Sequence, residues 1–155
     1  MIVRIMEEKD IFEVQHMMMD LQNFHAEIAP EIFKKATLRD VSYYEKVLDD
    51  NNRIILIAID KSNIPAGFIK GKIIDFPGTD MLKARKYGYV DGIFVKKPYR
   101  GQLVEYKLQK ELFKWFKKQG VNHVEANVWD INERAKDYYQ LFGYTYLKHG
   151  LEIDI

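Results

Sequence analysis

Short apolar runs along the chain predict a series of β-strands. These runs are residues 2–6 (IVRIM), 53–60 (RIILIAID), 66–75 (AGFIKGKIID), 87–95 (YGYVDGIFV) and 123–129 (HVEANVW). The run at 53–60 is apolar almost throughout, which is typical of a strand that is covered on both faces. The turn sequence KSN separates it from 66–75, so the two strands are predicted to pair as a hairpin. A last hairpin is predicted in the tail, 144–155, about His149-Gly150.

Apolar residues at steps of three and four predict four helices between these strands. The first helix runs from Lys9 to Phe24 and is followed by a loop at 25–36. The second follows Thr37, which with Asp40 resembles a capping box. The third covers 102–118 and stops at Gly120. The fourth is short, and Asn132 caps it while Gly143 closes it.

The order of these elements is β-α-α-β-β-β-α-β-α-β-β, without repeats or linkers. The crossover between 87–95 and 123–129 requires these two strands to be parallel neighbours. The predicted fold class is therefore mixed α/β, with α+β character. A central, mostly antiparallel sheet with one parallel pair is flanked by about four helices, and 1–155 forms one domain.

Composition excludes several classes of function. The net charge is +1, from 24 basic and 23 acidic side chains, which gives no electrostatic footprint for a nucleic acid. Cysteine is absent and the four histidines show no ligand spacing, so no metal is expected. No segment approaches the ~18 apolar residues of a membrane span, and no signal peptide is evident. The expected location is the cytoplasm, with no membrane partner.

Two motifs carry a resemblance to a known family. The first, YVDGIFVKKPYRGQ (89–102), is a strand that leads into an Arg-Gly loop. The second, NERAKDYYQLFGY (132–144), resembles an Asn-x-x-Ala-x-x-x-Tyr-x-x-x-Gly-aromatic segment at five spaced positions: Asn132, Ala135, Tyr139, Gly143 and Tyr144. Both are similar to segments of the GNAT superfamily of acyl-CoA-dependent N-acyltransferases, and the resemblance covers essentially the whole chain. The region of Asp91 most resembles the spermidine/spermine-acetyltransferase-like branch.

The resemblance implies a GNAT-type domain that uses acetyl-CoA as acyl donor and no metal. Its acceptor would be the primary amine of a small molecule or a peptide. The implied cofactor-binding residues are Phe94, Val95, Arg100, Gly101, Gln102, Leu103, Val104, Glu105, Tyr106, Asn132 and Tyr139. A backbone N–H near Phe94 or Val95, where the strand of the family bulges, would stabilise the oxyanion.

The sequence departs from the family in the loop that would bind the diphosphate of coenzyme A. The family pattern is Gln/Arg-x-x-Gly-x-Gly/Ala; Arg100 fills its first position, but Leu103 and Glu105 replace the two small residues. A helix N-terminus binds anions through free backbone N–H groups, which survive substitution. The Glu105 carboxylate would repel a diphosphate. Alternatively, Glu105 is a first-turn acid that stabilises the empty helix N-terminus.

The resemblance also implies roles in catalysis. Tyr139 takes the position of the acid that protonates the departing thiolate; the alternative is an aromatic residue packed on the sheet. Asp91 resembles the strand acid that deprotonates the amine, often through water, or that binds a cationic acceptor; the alternative is an acid exposed at a sheet edge. The acceptor wall is expected from Phe24, His25 and Phe33, together with Asp91. Tyr43 is a further candidate, and core packing is the alternative for each aromatic residue.

Two other functions remain open at this stage. A GNAT-fold domain with weak or lost acyl-CoA binding would act as a regulatory or interaction module, a reading that Leu103 and Glu105 support. A nucleic-acid binder using the paired lysines at 96–97 and 117–118 is opposed by the nearly neutral charge. The predicted tail hairpin would expose a strand edge, so a homodimer is also an expectation.

Overall fold

The computed structural model describes all 155 residues and contains one five-stranded sheet. Its strands follow the order of the chain across the sheet: β1 (Ile2–Ile5), β2 (Arg53–Ile59), β3 (Pro65–Phe76), β4 (Arg85–Val95) and β5 (Val124–Ala126). The first four pair antiparallel, and β4 and β5 are parallel. The predicted mixed fold, with one parallel pair and the hairpin of β2 and β3, is confirmed.

Four helices flank the sheet: α1 (Ile11–Ile28), α2 (Val41–Leu48), α3 (Val104–Lys118) and α4 (Glu133–Leu141). Short 3₁₀ helices precede α1 at Glu8–Asp10 and follow β4 at Lys97–Tyr99. The Asn132 side chain accepts a hydrogen bond from Ala135 N at 3.1 Å, which confirms it as the N-cap of α4. None of these helices is long and apolar enough to cross a membrane.

The core lies on both faces of the sheet, which explains the continuous apolar run of β2. Alternate residues Ile54 and Leu56 pack with α3, whereas Ile55 and Ile57 pack with α1 and α2. Each of these side chains is at least 95% buried. Burial of an isoleucine or leucine side chain contributes about 1.5–3 kcal/mol, so β2 anchors both layers.

Several predicted boundaries were wrong. The first helix continues four residues beyond Phe24, to Ile28. The second begins after Asp40, whose carboxylate caps it by accepting from Ser42 N at 2.8 Å, so the capping box at Thr37 does not form. The fifth strand covers three residues rather than seven.

The predicted tail hairpin is also wrong, because 144–155 forms no strand. Its apolar side chains at Leu151, Ile153 and Ile155 are exposed instead. A strand requires a neighbour to satisfy its backbone, and the short β5 offers only three residues at that edge of the sheet. The expected homodimer thereby loses the strand edge on which it was based.

Candidate active site

The two parallel strands separate after three paired residues and leave an opening in the sheet. The pairs are Gly88↔Val124, Tyr89↔Glu125 and Val90↔Ala126. Beyond Ala126 the chain leaves the sheet, while β4 continues to Val95. The last residues of β4 therefore have a strand edge without a sheet neighbour, which leaves backbone groups available to a ligand.

A β-bulge determines which backbone groups face this opening. The register of β3 and β4 pairs Lys70 with Gly92 and Gly71 with Val90, so Asp91 is the extra residue of the bulge. Lys96 N donates to Ala66 O, and strand alternation then turns the amide and carbonyl of Phe94 toward β3. The amides of Ile93 and Val95 face the opening.

The bulge expected near Phe94 and Val95 thus lies about three residues earlier, at Asp91. Register between two strands is a property of their tertiary pairing, which local sequence does not specify. The shift leaves Val95 with a donor on the open edge and removes Phe94 from that role. Phe94 instead places its ring against Phe68, with ring centres 6.3 Å apart.

The N-terminus of α3 lies next in the chain and has six free donors. The backbone N–H groups of 101–106 donate no hydrogen bond within the protein; the first turn ends with Lys107 N donating to Leu103 O. No side chain caps this helix. Arg100 is held beside the loop because its Nε donates to Val95 O at 3.0 Å. Consecutive free N–H groups with a cation beside them fit a diphosphate.

Leu103 occupies a backbone conformation that favours glycine. Its φ is +59°, in the left-handed region, and its side chain is 67% exposed. The side chain lines a groove with Met1, Val3 and Tyr106, on the side of α3 that faces β1. The leucine therefore reproduces the backbone turn of a small residue at a cost in strain.

Glu105 connects the first turns of α3 and α4. Its Oε1 lies 3.4 Å from Arg134 Nη2, and both side chains are partly exposed. Burial and the nearby Arg134 lower the pKa of Arg100, and Glu105 partly opposes this shift. Two guanidinium groups and one carboxylate thus lie together at the N-terminus of α3, which leaves an excess of positive charge for an anion.

Three tyrosines of the α4 region lie together, and only one has an uncommitted hydroxyl. Tyr138 donates to Gln109 Oε1 at 2.8 Å, and Gln109 Nε2 donates to the Tyr144 hydroxyl at 3.1 Å. Tyr139 packs edge-on against Tyr144, but its hydroxyl makes no hydrogen bond within the protein. Of the two adjacent tyrosines of α4, Tyr139 is therefore the one free to donate a proton.

Asp91 is held by two lysines of β3. Its carboxylate lies 3.0 Å from Lys70 Nζ and 3.5 Å from Lys72 Nζ, and its side chain is 33% exposed. Burial, together with the charges of Tyr89 and Asp91, raises the pKa of Tyr139 to about 12. The charge of Asp91 therefore contributes to the raised pKa of Tyr139, although the two residues are far apart in sequence. The phenol stays protonated at neutral pH.

The aromatic candidates form a chain of contacts rather than isolated core residues. His25 stacks on Phe33 with ring centres 5.0 Å apart and lies 5.8 Å from Phe24. Phe33 meets Trp129 edge-on at 5.2 Å. The chain joins the end of α1 to the segment that follows β5. Burial lowers the pKa of His25, which favours the neutral imidazole.

Sequence reasoning missed several residues of this region. Trp129 lies three residues after β5, and its half-exposed ring is visible only in the structure. Lys70 and Lys72 alternate within an apolar strand, a pattern that places both on one face. Gln109 is completely buried in α3, and nothing in its local sequence distinguished it from a surface glutamine.

The amino-acid sequence was compared with protein families and with curated proteins. The sequence profile of the Acetyltransferase (GNAT) family matches residues 18–144. No curated protein sequence matches the chain.

Solved structures share the fold over nearly the whole chain. A mutant of the BH1408 protein from Bacillus halodurans has a TM-score of 0.93 at 20% identity, over 100% of this chain and 99% of its own. The aminoglycoside 6'-N-acetyltransferase AAC(6')-Ih from Acinetobacter baumannii has a TM-score of 0.71 at 12% identity, over 99% and 97%. AAC(6')-Iy, in complex with the bisubstrate analogue CoA-S-monomethyl-acetylneamine, has a TM-score of 0.77 at 16% identity, over 99% and 97%. At these identities the likeness is one of fold.

Proposed function

Because the chain belongs to the acetyltransferase (GNAT) family, we propose that it transfers an acetyl group from acetyl-CoA to a primary amine of a small molecule or a peptide. The proposal treats residues 1–155 as one catalytic domain. The observation that supports it most is the run of free N–H groups at 101–106, next to the open edge of β4. No comparison bears on the placement in the spermidine/spermine-acetyltransferase-like branch.

The cofactor would be held mainly by the backbone. The N–H groups of 101–106 would bind the diphosphate, and Arg100 and Arg134 would add positive charge beside it. The open edge of β4, at Ile93 and Val95, would pair with the amide groups of the pantetheine arm as a further strand does. Asn132 would act indirectly, because its side chain is already used to cap α4.

Acetyl-CoA supplies an acyl group that is activated as a thioester. In the transfer, a bond forms between the amine nitrogen and the acetyl carbon and the carbon–sulfur bond breaks. Overall, one proton passes from the nitrogen to the sulfur. Tyr139 would donate the proton to sulfur, since its phenol is protonated and has no other partner. The open-edge N–H of Ile93 or of Val95, the one that the pantetheine arm does not use, is the candidate donor to the developing oxyanion.

Asp91 would receive the proton of the amine, directly or through water. A carboxylate accepts about four hydrogen bonds, and the two lysines lie beside it as ion-pair partners, one at each oxygen. The remaining positions are available to an amine or a water at the mouth of the opening. The aromatic chain of Phe24, His25, Phe33 and Trp129 would form the acceptor wall, because it joins α1 to the segment after β5.

The proposal is tested by measuring the release of coenzyme A thiol from acetyl-CoA with a panel of primary amines. Thiol release that depends on the amine, with an acetylated amine detected by mass spectrometry, is the expected result. Absence of thiol release with every amine would contradict acetyl transfer and would favour the alternative, a regulatory or interaction module with weak or lost acyl-CoA binding. Release that does not depend on any amine would also contradict it, because the acyl acceptor would then be water.

A further inference from the structure

A cavity of about 210 Å³ opens beside Asp91, between α2 and strands β2, β3 and β4. Its charged lining consists of three cations and one carboxylate: Arg53, Lys70, Lys72 and Asp91. Arg53 is paired with Asp50 at 3.2 Å, whereas both lysines share the single carboxylate of Asp91. The ion pairs therefore leave one positive charge without a counterion.

The two lysines are fixed on the inner face of the sheet by the alternation of β3. Gly71, between them, faces α3, because a Cβ there would meet Leu112 and Phe116. Lys70 and Lys72 consequently project on the opposite face, which α1 and α2 cover. The side chain of Lys70 is only 19% exposed. Two ammonium groups on a partly buried face repel each other unless anions lie between them, and Asp91 supplies only one.

We propose that the amine acceptor carries an anionic group, a carboxylate or a phosphate, which binds in this cavity against Lys70 and Lys72. The inference rests on the proposed acetyl transfer and names the class of acceptor for the same site. The cavity is lined in part by Asp91, the carboxylate proposed to receive the amine proton, so an anion bound against the two lysines would lie beside that base.

Polycationic amines fit this surface poorly. The carboxylate that would attract a second ammonium group is already paired with two lysines, and the surrounding charge is positive. An anionic group on the acceptor completes the charge balance, whereas an extra ammonium group worsens it. The charge expected on the acceptor therefore depends on Lys70 and Lys72 of β3. This strand carries none of the residues first expected in the site.

The test compares four short primary amines that differ in the charge of the group distal to the reacting amine. This group is anionic in β-alanine and 2-aminoethyl phosphate, neutral in β-alaninamide and cationic in 1,3-diaminopropane. Both kcat/KM in the thiol-release assay and Kd by calorimetry in the presence of coenzyme A are measured. We expect at least about tenfold tighter binding and higher kcat/KM for the anionic amines than for the neutral amide. The order of β-alanine and aminoethyl phosphate distinguishes a carboxylate from a phosphate.

Variants test the lysines themselves. Lys72→Gln should reduce the preference for the anionic amines about tenfold, mainly through KM for the acceptor, whereas Lys72→Arg should keep most of it. Lys110→Gln, on the exposed face of α3, is the control and should leave the preference unchanged. The Kd of acetyl-CoA should be the same in all three variants.

Each outcome decides the acceptor class separately from the acetyl transfer. Equal or better binding and turnover of β-alaninamide or 1,3-diaminopropane overturns the inference and leaves the transferase proposal intact. An unchanged preference in Lys72→Gln also overturns it. If no amine releases thiol, selective binding of the anionic amines that Lys72→Gln weakens still supports the inference, and no binding of either anionic amine overturns it.

Discussion

Glu105 Oε1, in the first turn of α3, lies 3.4 Å from Arg134 Nη2, in the first turn of α4. This ion pair adjoins the free N–H groups of 101–106, where the diphosphate of coenzyme A is proposed to bind. The pair is partly exposed, so it contributes only about 0.2–1 kcal/mol to the free energy of unfolding. Its larger effect is on the binding of an anion. The Glu105 carboxylate repels a diphosphate, and its ion pair with Arg134 offsets the positive charge of that guanidinium group.

Glu105→Gln should therefore tighten the binding of coenzyme A. Loss of the repulsion and release of Arg134 should lower Kd about tenfold at low salt, and the gain should shrink as salt screens the charges. Calorimetric titrations at two salt concentrations measure both effects. Glu111→Gln removes a carboxylate paired with Lys114 farther along α3 and is the matched control. Weaker binding by Glu105→Gln at both salt concentrations would show that the carboxylate supports the loop.

Leu103→Gly should stabilise the protein. A leucine at φ +59° carries roughly 1–2 kcal/mol of strain, while glycine costs about 0.5–1 kcal/mol of unfolded-state entropy. The expected net gain in the free energy of unfolding is about 0.5–1 kcal/mol, measured by urea denaturation. Leu103→Ala keeps a Cβ in the left-handed conformation and should show no gain. A loss of stability in Leu103→Gly would mean that the exposed side chain contributes more than its backbone strain costs.

Tyr139→Phe should affect turnover, whereas Tyr138→Phe should affect stability. Removal of the uncommitted Tyr139 hydroxyl should slow turnover about 10²–10⁴-fold and leave the fold and the Kd of acetyl-CoA unchanged. Removal of the Tyr138 hydroxyl leaves the buried Gln109 carbonyl without its donor and should cost about 1–3 kcal/mol of stability. Steady-state kinetics and urea denaturation separate the two. An unchanged rate in Tyr139→Phe would return this residue to the role of an aromatic packed on the sheet.

The tyrosine cluster also predicts a loss of stability in alkali. Burial raises the pKa of Tyr139 to about 12 and raises those of Tyr138 and Tyr144 as well. Below about pH 10 these phenols are protonated in both states; above it the unfolded chain loses protons that the folded protein retains. Each phenol should then lower the free energy of unfolding by up to ~1.4 kcal/mol per pH unit.

Urea midpoints measured between pH 9 and pH 11 test this dependence. Tyr138→Phe should remove about one third of the cluster's contribution to the slope, because one of three phenols is gone. Tyr146 is 58% exposed, so Tyr146→Phe is the control and should retain the full slope. Equal slopes in the wild type and in Tyr138→Phe would mean that the cluster opens to solvent before the protein unfolds.

The sequence predicts those parts of the fold that depend on local pattern. Apolar periodicity identifies the five strands and four helices, and the side-chain cap of α4 by Asn132 is visible in the motif itself. The β4–β5 parallel pair follows from the crossover. The tail hairpin does not form, because the alternation of Leu151, Ile153 and Ile155 predicts a strand but supplies no partner for it.

The candidate site was predictable where it lies in one stretch of chain and not where it depends on tertiary pairing. Loop 100–106 and Tyr139 come from motifs. The bulge at Asp91 and its contacts with Lys70 and Lys72 depend on how β3 and β4 pair. Gln109 became distinctive only when two tyrosines of another segment were placed against it.

A calorimetric titration with acetyl-CoA, supported by the melting temperature, tests the central claim most directly. We expect saturable binding of one molecule per chain, and at ~100 times Kd a stabilisation of about 2.7 kcal/mol with a corresponding rise in melting temperature. Dephospho-coenzyme A retains the diphosphate and should also bind to the N-terminus of α3. Absence of both heat and a melting shift at millimolar acetyl-CoA would contradict the proposed enzyme.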